Sequence, residues 1–402
     1  MDAATSRKGS MRVFISAGEA SGDAYGAALI SSIRKLSQSD TSQLSFEGIG
    51  GPKLKAEGVH LYADSSHWGA ISIVQAAKVF WKVFTTLHKL KHNLRQGRPG
   101  LLVAIDFGYA NIRLCRYAKK FGWKVLYFVP PGSWRRGRQG KDLPEIADEI
   151  VTPFEWSADI LNRMGASAHW FGHPIKQLIA KDHAKCERQE SIAVLPGSRK
   201  HELEMNLPVI ARAVGSAEGD WKGHNSPRSS SESIQISKSA LTIPLEFALA
   251  PSVDLEAFRQ EWRRLAPNRN DLFTVGDTYG VLSRAKAGII CSGTATLEAA
   301  LCRCPMVVLY KLSPAMVREA KLIRMKRPKF ISLPNILMDR EIVPEIAGEN
   351  VRPEQVRAEL DSLLFGEVIR AKQMKDFEEL DRILGPPDAI TKTAELALKM
   401  VS

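Results

Sequence analysis

A strand that ends in a turn of small residues constrains the fold of this chain most strongly. Residues 287–290 are apolar and predict a buried strand, and the turn 291–293 leads into a helix that we expect to begin at Thr294 or Thr296. A helix start offers unpaired backbone N–H groups and a positive dipole end, which attract an anion such as a phosphate. An ordinary turn with a capping carboxylate explains the pattern equally well. The candidate ligand contacts in this stretch are Ser292, Gly293, Thr294, Thr296 and Glu298.

The same succession of strand, turn and helix opens the chain. Residues 11–17 predict a strand and residues 24–36 a helix, with the loop 18–23 (GEASGD) between them. The loop lacks the glycine spacing of a dinucleotide-binding fingerprint, and its two acids make a poor phosphate cradle. We expect it to accept hydrogen bonds from sugar hydroxyls, or to shape a site. Its candidate contacts are Glu19, Ser21, Gly22 and Asp23.

A third turn of this kind, residues 196–202, follows a strand predicted over 191–195. This turn contains Gly197, Ser198 and Arg199. The planar donor fork of an arginine suits a diphosphate, so Arg199 is a candidate contact for one.

Asp106 follows a short apolar run, residues 100–105, that predicts a fully buried strand. Ligands bind at the carboxyl ends of strands in open α/β sheets, and burial there raises the pKa of a carboxylate toward the range of a general base. The alternative is that Asp106 caps the next helix, predicted over 111–121.

Strands and helices alternate along the rest of the chain, which predicts parallel sheets. Residues 176–190 are charged and have no apolar period, so we interpret them as a linker between two α/β halves with a cleft between them. Residues 221–239 are rich in serine and predict a surface loop. The expected domains are 1–174, 175–369 and a helical segment 370–402 that packs back toward the first.

The chain has 402 residues and a net charge of +12, which favours an anionic partner. Its five cysteines include no metal-type or disulfide-type spacing and suit a reducing cytoplasm. We find no signal peptide and no apolar stretch long enough to span a membrane. The basic charge is dispersed and no nucleic-acid-binding module is present, so nucleic acid is not an expected partner.

Two segments suggest a surface for acyl chains or an anionic membrane. Residues 71–95 carry two apolar stripes at helical spacing, one through Val74, Ala77, Trp81 and Phe84 and one through Val83, Leu87, Leu90 and Leu94, with lysines on the remaining side. Residues 314–329 are strongly basic with apolar residues between the charges. A helix buried on two sides and a solvated charged face are the structural alternatives.

The motifs together resemble the lipid-A-disaccharide synthase family, a group of inverting glycosyltransferases of the GT-B type (glycosyltransferase family 19). The matching pieces follow the family's order along most of the chain. They are residues 18–23, Gly51-Pro52 with Glu57-Gly58, 104–106 followed by Asn111, 172–174, 195–199 with Glu202 and Glu204, 292–298, 304–308, and 332–335 with Arg340-Glu341.

The resemblance implies an α/β fold with two Rossmann-like domains facing each other across a cleft. It implies transfer of 2,3-diacylglucosamine from UDP-2,3-diacylglucosamine to the 6-hydroxyl of 2,3-diacylglucosamine 1-phosphate, without a cofactor or a metal. Asp106 matches the family's candidate base, and Asn111 lies in the same motif. Arg199, Glu298 and Asn335 match positions expected to contact the nucleotide. The implied partners are the two acylated sugars and the inner face of the cell membrane, and a homodimer is left open.

Three departures from the family lie in the first half of the chain. Tyr109 stands where the family usually has a second acid, Trp68 precedes Gly69 where Met-Gly is usual, and residues 129–136 replace a serine- and tryptophan-rich run. These departures leave open a GT-B enzyme with another acceptor, a UDP-sugar epimerase, or a paralogue that binds lipid or UDP without catalysis.

Overall fold

A computed structural model describes residues 11–37, 44–65, 68, 73–132, 141–182, 187–215, 243–322 and 328–401. For residues 73–82, 109 and 180–182 it describes the backbone alone. The chain forms two compact units: unit 1 is Met1–Ala180 with Leu384–Ser402, and unit 2 is Lys181–Ile383.

Unit 1 is built on a seven-stranded sheet with the strand order β3-β2-β1-β4-β5-β6-β7. All of its strand pairs are parallel, and the order is that of a doubly wound, Rossmann-like sheet. The strands are β1 Met11–Ala17, β2 Leu44–Gly50, β3 His60–Asp64, β4 Leu101–Ile105, β5 Lys124–Phe128, β6 Glu149–Thr152 and β7 Ala168–Trp170. The helices are α1 Glu19–Leu36, α2 Pro52–Ala56, α3 Ile73–Arg95, α4 Gly108–Lys120, α5 Leu143–Ile146, α6 Glu155–Arg163 and α7 Pro174–Asp182.

Unit 2 is built on a six-stranded parallel sheet with the order β10-β9-β8-β11-β12-β13. Its strands are β8 Gln189–Leu195, β9 Leu245–Leu249, β10 Leu272–Val275, β11 Ala285–Cys291, β12 Met306–Lys311 and β13 Glu345–Gly348. Its helices are α8 Lys200–Gly215, α9 Leu255–Leu265, α10 Thr278–Arg284, α11 Thr294–Leu301, α12 Pro314–Leu322, α13 Leu333–Met338, α14 Pro353–Phe365 and α15 Glu367–Ile383. The two parallel sheets with their helices confirm the predicted α/β architecture.

The central strands of both sheets are covered on both faces, as parallel sheets require. Every residue of β4 and of β9 is buried. The continuous apolar run of β4 is the reason why this strand was recognisable in the sequence.

The last helix, α16 Ala389–Val401, returns to unit 1, where it packs against α1. The carbonyl of Met400 accepts a hydrogen bond from Lys124 Nζ at 2.7 Å. The side-chain Oε1 of Gln177 accepts one from the N–H of Ile390 at 2.7 Å. The C-terminal segment from Leu384 onward therefore belongs to unit 1.

The chain passes from unit 1 to unit 2 after Ala180, inside the predicted linker 176–190. Both ends of that segment are structured, because α7 covers residues 174–182 and β8 begins at Gln189. One expectation about local structure is wrong. Helix α1 begins at Glu19, five residues before the predicted start at 24, so most of the predicted loop 18–23 is helical.

The apolar stripe of α3 that the structure describes belongs to the core: Val83, Leu87, Leu90 and Leu94 are buried, while Phe84 is half exposed. Helix α12, the described part of the basic segment, has no buried residue, and Leu322 at its end is 84% exposed. The structure describes neither the side chains of Val74, Ala77, Trp81 and Tyr109 nor residues 133–138, 221–239, 323–327 and Cys186.

The four described cysteines, Cys115, Cys291, Cys302 and Cys304, are buried free thiols. No helix in the described part of the chain is both long enough and apolar enough to cross a membrane.

Candidate active site

Asp106 lies at the carboxyl end of β4, where the backbone makes an unusual turn. Asp106 and Phe107 both have φ of 48°, in the left-handed region that non-glycine residues rarely adopt. The Asp106 N–H donates to Phe128 O at 3.1 Å, and the Asp106 carbonyl accepts from Tyr127 Oη at 3.0 Å. Such conformations cost about 1–3 kcal/mol each and persist where the surroundings enforce them. The neighbouring strand therefore fixes the position of the Asp106 side chain.

The Asp106 carboxyl group has a raised pKa. Burial raises this pKa to about 6, the negative charge of Glu19 adds to the effect, and a hydrogen bond from the Phe107 backbone opposes it. The side chain is nevertheless partly exposed, so a substrate hydroxyl can reach it. The N-cap of α4 is Phe107, and no side chain caps this helix, which contradicts the interpretation of Asp106 as a cap. A partly exposed carboxylate with a pKa near 6 suits a general base.

Asn111, the other predicted residue of this motif, holds strands together. It is fully buried, and its Nδ2 donates to Ser16 O at 3.0 Å, Ile105 O at 3.0 Å and Asp106 O at 2.9 Å. Its Oδ1 accepts from Ser16 Oγ at 2.5 Å. These bonds tie the end of β1 to the end of β4, so the geometry gives Asn111 a structural role rather than a ligand contact.

The predicted contacts of residues 18–23 divide into two groups. Asp23 is buried, and its carboxylate accepts from the N–H groups of Gly51 (2.7 Å), Lys53 (2.9 Å) and Leu54 (3.1 Å) at the start of α2. Its role is therefore structural. Gly22 is buried against β1 and β4. Glu19 and Ser21 are partly exposed at the start of α1 and can still face a ligand.

Trp68, one of the departures from the family, packs beside this turn. It is 3% exposed, and its ring centroid lies 5.8 Å from that of Phe107. The larger residue at position 68 therefore supports the backbone next to Asp106.

In unit 2 the structure brings two of the predicted turns together. Strands β8 and β11 are neighbours, with Leu195 opposite Ile290. The turns 196–199 and 292–294 therefore lie side by side at the carboxyl ends of these two strands. This placement was not visible in the sequence, where nearly a hundred residues separate the two turns.

The first of these turns is filled by an acid of its own helix. Glu202 is buried, and its Oε2 accepts from the N–H groups of Ser198 (2.9 Å) and Arg199 (3.2 Å). Its Oε1 lies 3.1 Å from Arg199 Nη1. Gly197 has φ of 119°, and a Cβ there would lie 2.6 Å from the Glu202 side chain. A carboxylate thus takes the donors that were expected to meet a diphosphate.

The second turn has a different character. Helix α11 begins at Thr294, one of the two expected starts, and its N-cap is Gly293, with φ of 147° and no side-chain cap. A Cβ on Gly293 would meet nothing within 4 Å, and Gly293 and Thr294 are exposed. The hydroxyls of Ser292 and Thr296 donate to the carbonyls of Ile331 and Gly293, each at 2.8 Å. The exposed start of α11 is therefore the better anion site of the two turns.

Glu298 lies one turn further along α11 and is partly exposed. Its Oε1 accepts a hydrogen bond from Tyr279 Oη at 3.1 Å. Tyr279 was not among the predicted site residues, because nothing in its local sequence shows that α10 lies beside α11.

Asn335, which was expected to contact the nucleotide, lies in α13 and is fully buried. Its Oδ1 accepts from the N–H groups of Ile342 (2.7 Å) and Val343 (3.0 Å), and its Nδ2 donates to Glu345 Oε1 at 2.8 Å. All of these contacts are internal, so Asn335 stabilises the segment that covers Ser292.

Asn206 is a residue of this edge that the sequence interpretation missed. Its Nδ2 donates to Pro196 O at 2.9 Å, and its Oδ1 accepts from the N–H of Lys311 at 3.1 Å. It thereby joins the ends of β8 and β12. Its position four residues after Glu202, on the same face of α8, was the available signal.

Comparison with known proteins identifies the family of this chain. The family model described as lipid-A-disaccharide synthetase matches residues 13–399. The chain belongs to this family. Among its relatives, the lipid-A-disaccharide synthase of Trichlorobacter lovleyi is 31% identical over 401 residues, with 97% of each chain covered. That of Syntrophus aciditrophicus is 30% identical over 405 residues, also with 97% of each chain covered.

Solved structures support the fold of this lipid-A-disaccharide synthetase family member. A Staphylococcus aureus structure titled as a MnaA-UDP complex has a TM-score of 0.61 at 11% identity, covering 97% of this chain and 98% of that one. UDP-GlcNAc 2-epimerase from Neisseria meningitidis has a TM-score of 0.58 at 11% identity, covering 97% and 100%. The calicheamicin glycosyltransferase CalG4 has a TM-score of 0.52 at 12% identity, covering 98% and 99%. The architecture is that of the GT-B type, and the chain is a glycosyltransferase.

Proposed function

We propose that this chain transfers 2,3-diacylglucosamine from UDP-2,3-diacylglucosamine to the 6-hydroxyl of 2,3-diacylglucosamine 1-phosphate, with inversion at the anomeric carbon and release of UDP. Membership of the lipid-A-disaccharide synthetase family supports the reaction. The observation that carries the proposed mechanism is Asp106, a carboxylate held at the end of β4 with a pKa near 6.

In this mechanism Asp106 is the general base. It removes the proton from the 6-hydroxyl of the acceptor as the oxygen forms a bond to the anomeric carbon of the donor. The bond from that carbon to the UDP oxygen breaks in the same step, and the proton on Asp106 later passes to solvent. A single displacement of this kind inverts the anomeric centre and needs one base.

Unit 2 holds the nucleotide in this proposal. The diphosphate binds at the start of α11, where Gly293 and Thr294 are exposed and the helix dipole favours negative charge. Glu298 accepts hydrogen bonds from the ribose hydroxyls. Arg199 adds positive charge from the neighbouring turn, with its guanidinium held in place by Glu202.

We further propose that the protein binds peripherally to an anionic membrane surface through α12. This helix has no buried residue, carries Arg318 and Lys321, and ends in the exposed Leu322. Basic residues beside exposed apolar ones suit the interface of an anionic lipid layer. Both acylated substrates would be drawn from such a layer.

The reaction is tested by mass spectrometry of the products formed from the acylated UDP-sugar and the acylated sugar 1-phosphate. We expect the disaccharide and UDP in equal amounts, and neither when one substrate is omitted. Asp106→Asn should lower turnover about 10²–10⁴-fold while UDP still binds, as judged by calorimetry. Activity on non-acylated UDP-N-acetylglucosamine alone, or UDP binding without turnover of any acylated donor, would replace this proposal by an epimerase or a binding protein.

A further inference from the structure

A second acid, Glu19, lies at the same end of the unit 1 sheet as Asp106. In the register of β1 and β4, Ala17 lies opposite Ile105, so the chain leaves both strands at the same level. Glu19 follows β1 after one residue, and Asp106 follows β4 directly. The two acids therefore come from neighbouring turns of the same sheet edge.

The backbone holds both acids in conformations that non-glycine residues rarely adopt. Glu19 has φ of 63° and Asp106 has φ of 48°. The Glu19 N–H donates to Ser65 O at 3.4 Å, while Asp106 is held by Phe128 and Tyr127 as described above. A fold that maintains two acids with left-handed backbones in neighbouring turns is a candidate for a functional arrangement.

The two turns are also packed tightly. A Cβ on Gly18 would lie 2.4 Å from the Phe107 ring, so only glycine fits between Glu19 and the turn that carries Asp106. Gly22, on the next turn of α1, packs against Ala17 and Ile105. The start of α1 therefore cannot withdraw from Asp106 without losing these contacts.

The charge of Glu19 acts on Asp106. Burial is the larger cause of the raised pKa of Asp106, and the like charge of Glu19 is the second. From β5, the Tyr127 hydroxyl donates to the Asp106 carbonyl and not to its carboxylate. The carboxylate of Asp23, also on α1, accepts hydrogen bonds from backbone N–H groups at the start of α2.

We propose that Glu19 is a positioning residue whose negative charge makes Asp106 a stronger base for the acceptor hydroxyl. This inference rests on the proposed function, in which Asp106 takes the proton. A stronger base transfers the proton more completely in the transition state, provided that it stays ionised at the working pH. Two carboxylates in neighbouring turns of the sheet can give this result, because each like charge raises the proton affinity of the other.

The test is the pH dependence of kcat/KM for disaccharide formation, which reports the pKa of the base in the free enzyme. In Glu19→Gln we expect the acid limb of the kcat/KM profile to move to lower pH by about 0.5–1 unit. A nearby like charge shifts a pKa by about this amount at an effective dielectric constant of about 20. The plateau rate should fall severalfold, because the base is weaker. In Glu19→Asp, which keeps the charge, the limb should stay closer to that of the wild type.

The matched control is Glu145→Gln, which removes an exposed carboxylate from α5, before β6 and thus at the opposite edge of the sheet. Its acid limb should coincide with that of the wild type. If the limb of Glu19→Gln also coincides while its KM rises, Glu19 binds substrate and does not tune the base, and the inference is wrong. A wild-type protein that forms no disaccharide would overturn the proposed function instead, so the two failures are distinguishable.

Discussion

Glu202 and Arg199 form an ion pair inside the turn that follows β8, with Oε1 3.1 Å from Nη1. The same carboxylate accepts two backbone N–H groups of that turn. The turn thus already contains a negative charge of the protein, and a bound diphosphate is left with the start of α11 in the neighbouring turn. We therefore distinguish residues that contact a ligand from residues whose contacts lie within the protein.

Replacing Glu202 should destabilise unit 2 strongly. Glu202→Ala leaves two backbone donors and a guanidinium without their acceptor in a buried place, at a cost of about 2–4 kcal/mol in the free energy of unfolding. Urea denaturation measures this cost. The matched control is Glu204→Ala, because Glu204 is 60% exposed and its pair with Lys200 spans 3.9 Å. That control should change stability by less than about 0.5 kcal/mol. Equal losses in the two variants would contradict the role given to Glu202.

Asp106→Asn should stabilise the protein at the pH at which it removes activity. The folded state raises the pKa of Asp106 from 3.8 to about 6, so it binds this proton more tightly than the unfolded state does. The folded protein therefore loses stability as pH rises from about 4 through 6, and asparagine avoids this loss. We expect the variant to be more stable than the wild type by about 1–2 kcal/mol at pH 8, which is less than the full shift because the side chain is partly exposed.

The measurement for this second prediction is thermal or urea unfolding of both proteins at pH 4 and at pH 8. At pH 4 the advantage of Asp106→Asn should largely vanish, because both folded and unfolded wild-type chains then carry the proton more often. Asp159→Asn, at an exposed position of α6, is the control and should show no such dependence on pH. An advantage that is the same at both pH values would show that burial of the charge is not its cause.

Glu298→Ala should weaken UDP binding without unfolding unit 2. The carboxylate and its hydrogen-bond partner Tyr279 are both partly exposed, so water can replace their hydrogen bond. Loss of hydrogen bonds from a ribose to a charged acceptor costs about 1.5–3 kcal/mol, or roughly 10–100-fold in Kd. Calorimetry with UDP measures this loss, and Glu261→Ala, at the exposed ion pair of α9, is the control. Unchanged affinity for UDP would remove Glu298 from the nucleotide site.

Asn335→Asp should act on stability rather than on the nucleotide. The new carboxylate would lie beside Glu345, whose Oε1 is 2.8 Å from Asn335 Nδ2, in a fully buried place. We expect a loss of about 2–4 kcal/mol at pH 7 and a smaller loss at pH 4, where one of the two acids can be protonated. Unfolding curves at the two pH values measure the difference. A variant of normal stability with weak UDP binding would restore Asn335 as a ligand contact.

Several central strands could be predicted from the sequence, because residues 101–105 and 287–290 are unbroken apolar runs. The start of α1 could not be predicted, because an acid with a positive φ at position 19 has no signal in the sequence. The position of Asp106 after a buried strand was sufficient to indicate a candidate base.

The roles of several polar residues could not be predicted, because they depend on which segment folds against them. Asparagine and aspartate side chains often contact ligands. In Asn111, Asn335 and Asp23, however, the polar side-chain atoms form hydrogen bonds with the backbone of another segment. Arg199 was correctly placed at a turn, but the sequence did not show that Glu202 faces it. Motif position indicates where a site is, whereas hydrogen-bond partners decide which side chains remain available to it.

The packing of α16 on α1 has a consequence for the order in which the protein is made. Unit 1 begins at the amino terminus, but the helix that covers α1 is translated only after the whole of unit 2. At ribosomal rates of about 5–20 residues per second, synthesis of unit 2 takes about ten seconds or more. The face of α1 that α16 later covers stays exposed for that time. Unit 2, which is continuous in the chain, can fold during this delay, and the nascent unit 1 is the stage at which chaperones have an apolar surface to bind.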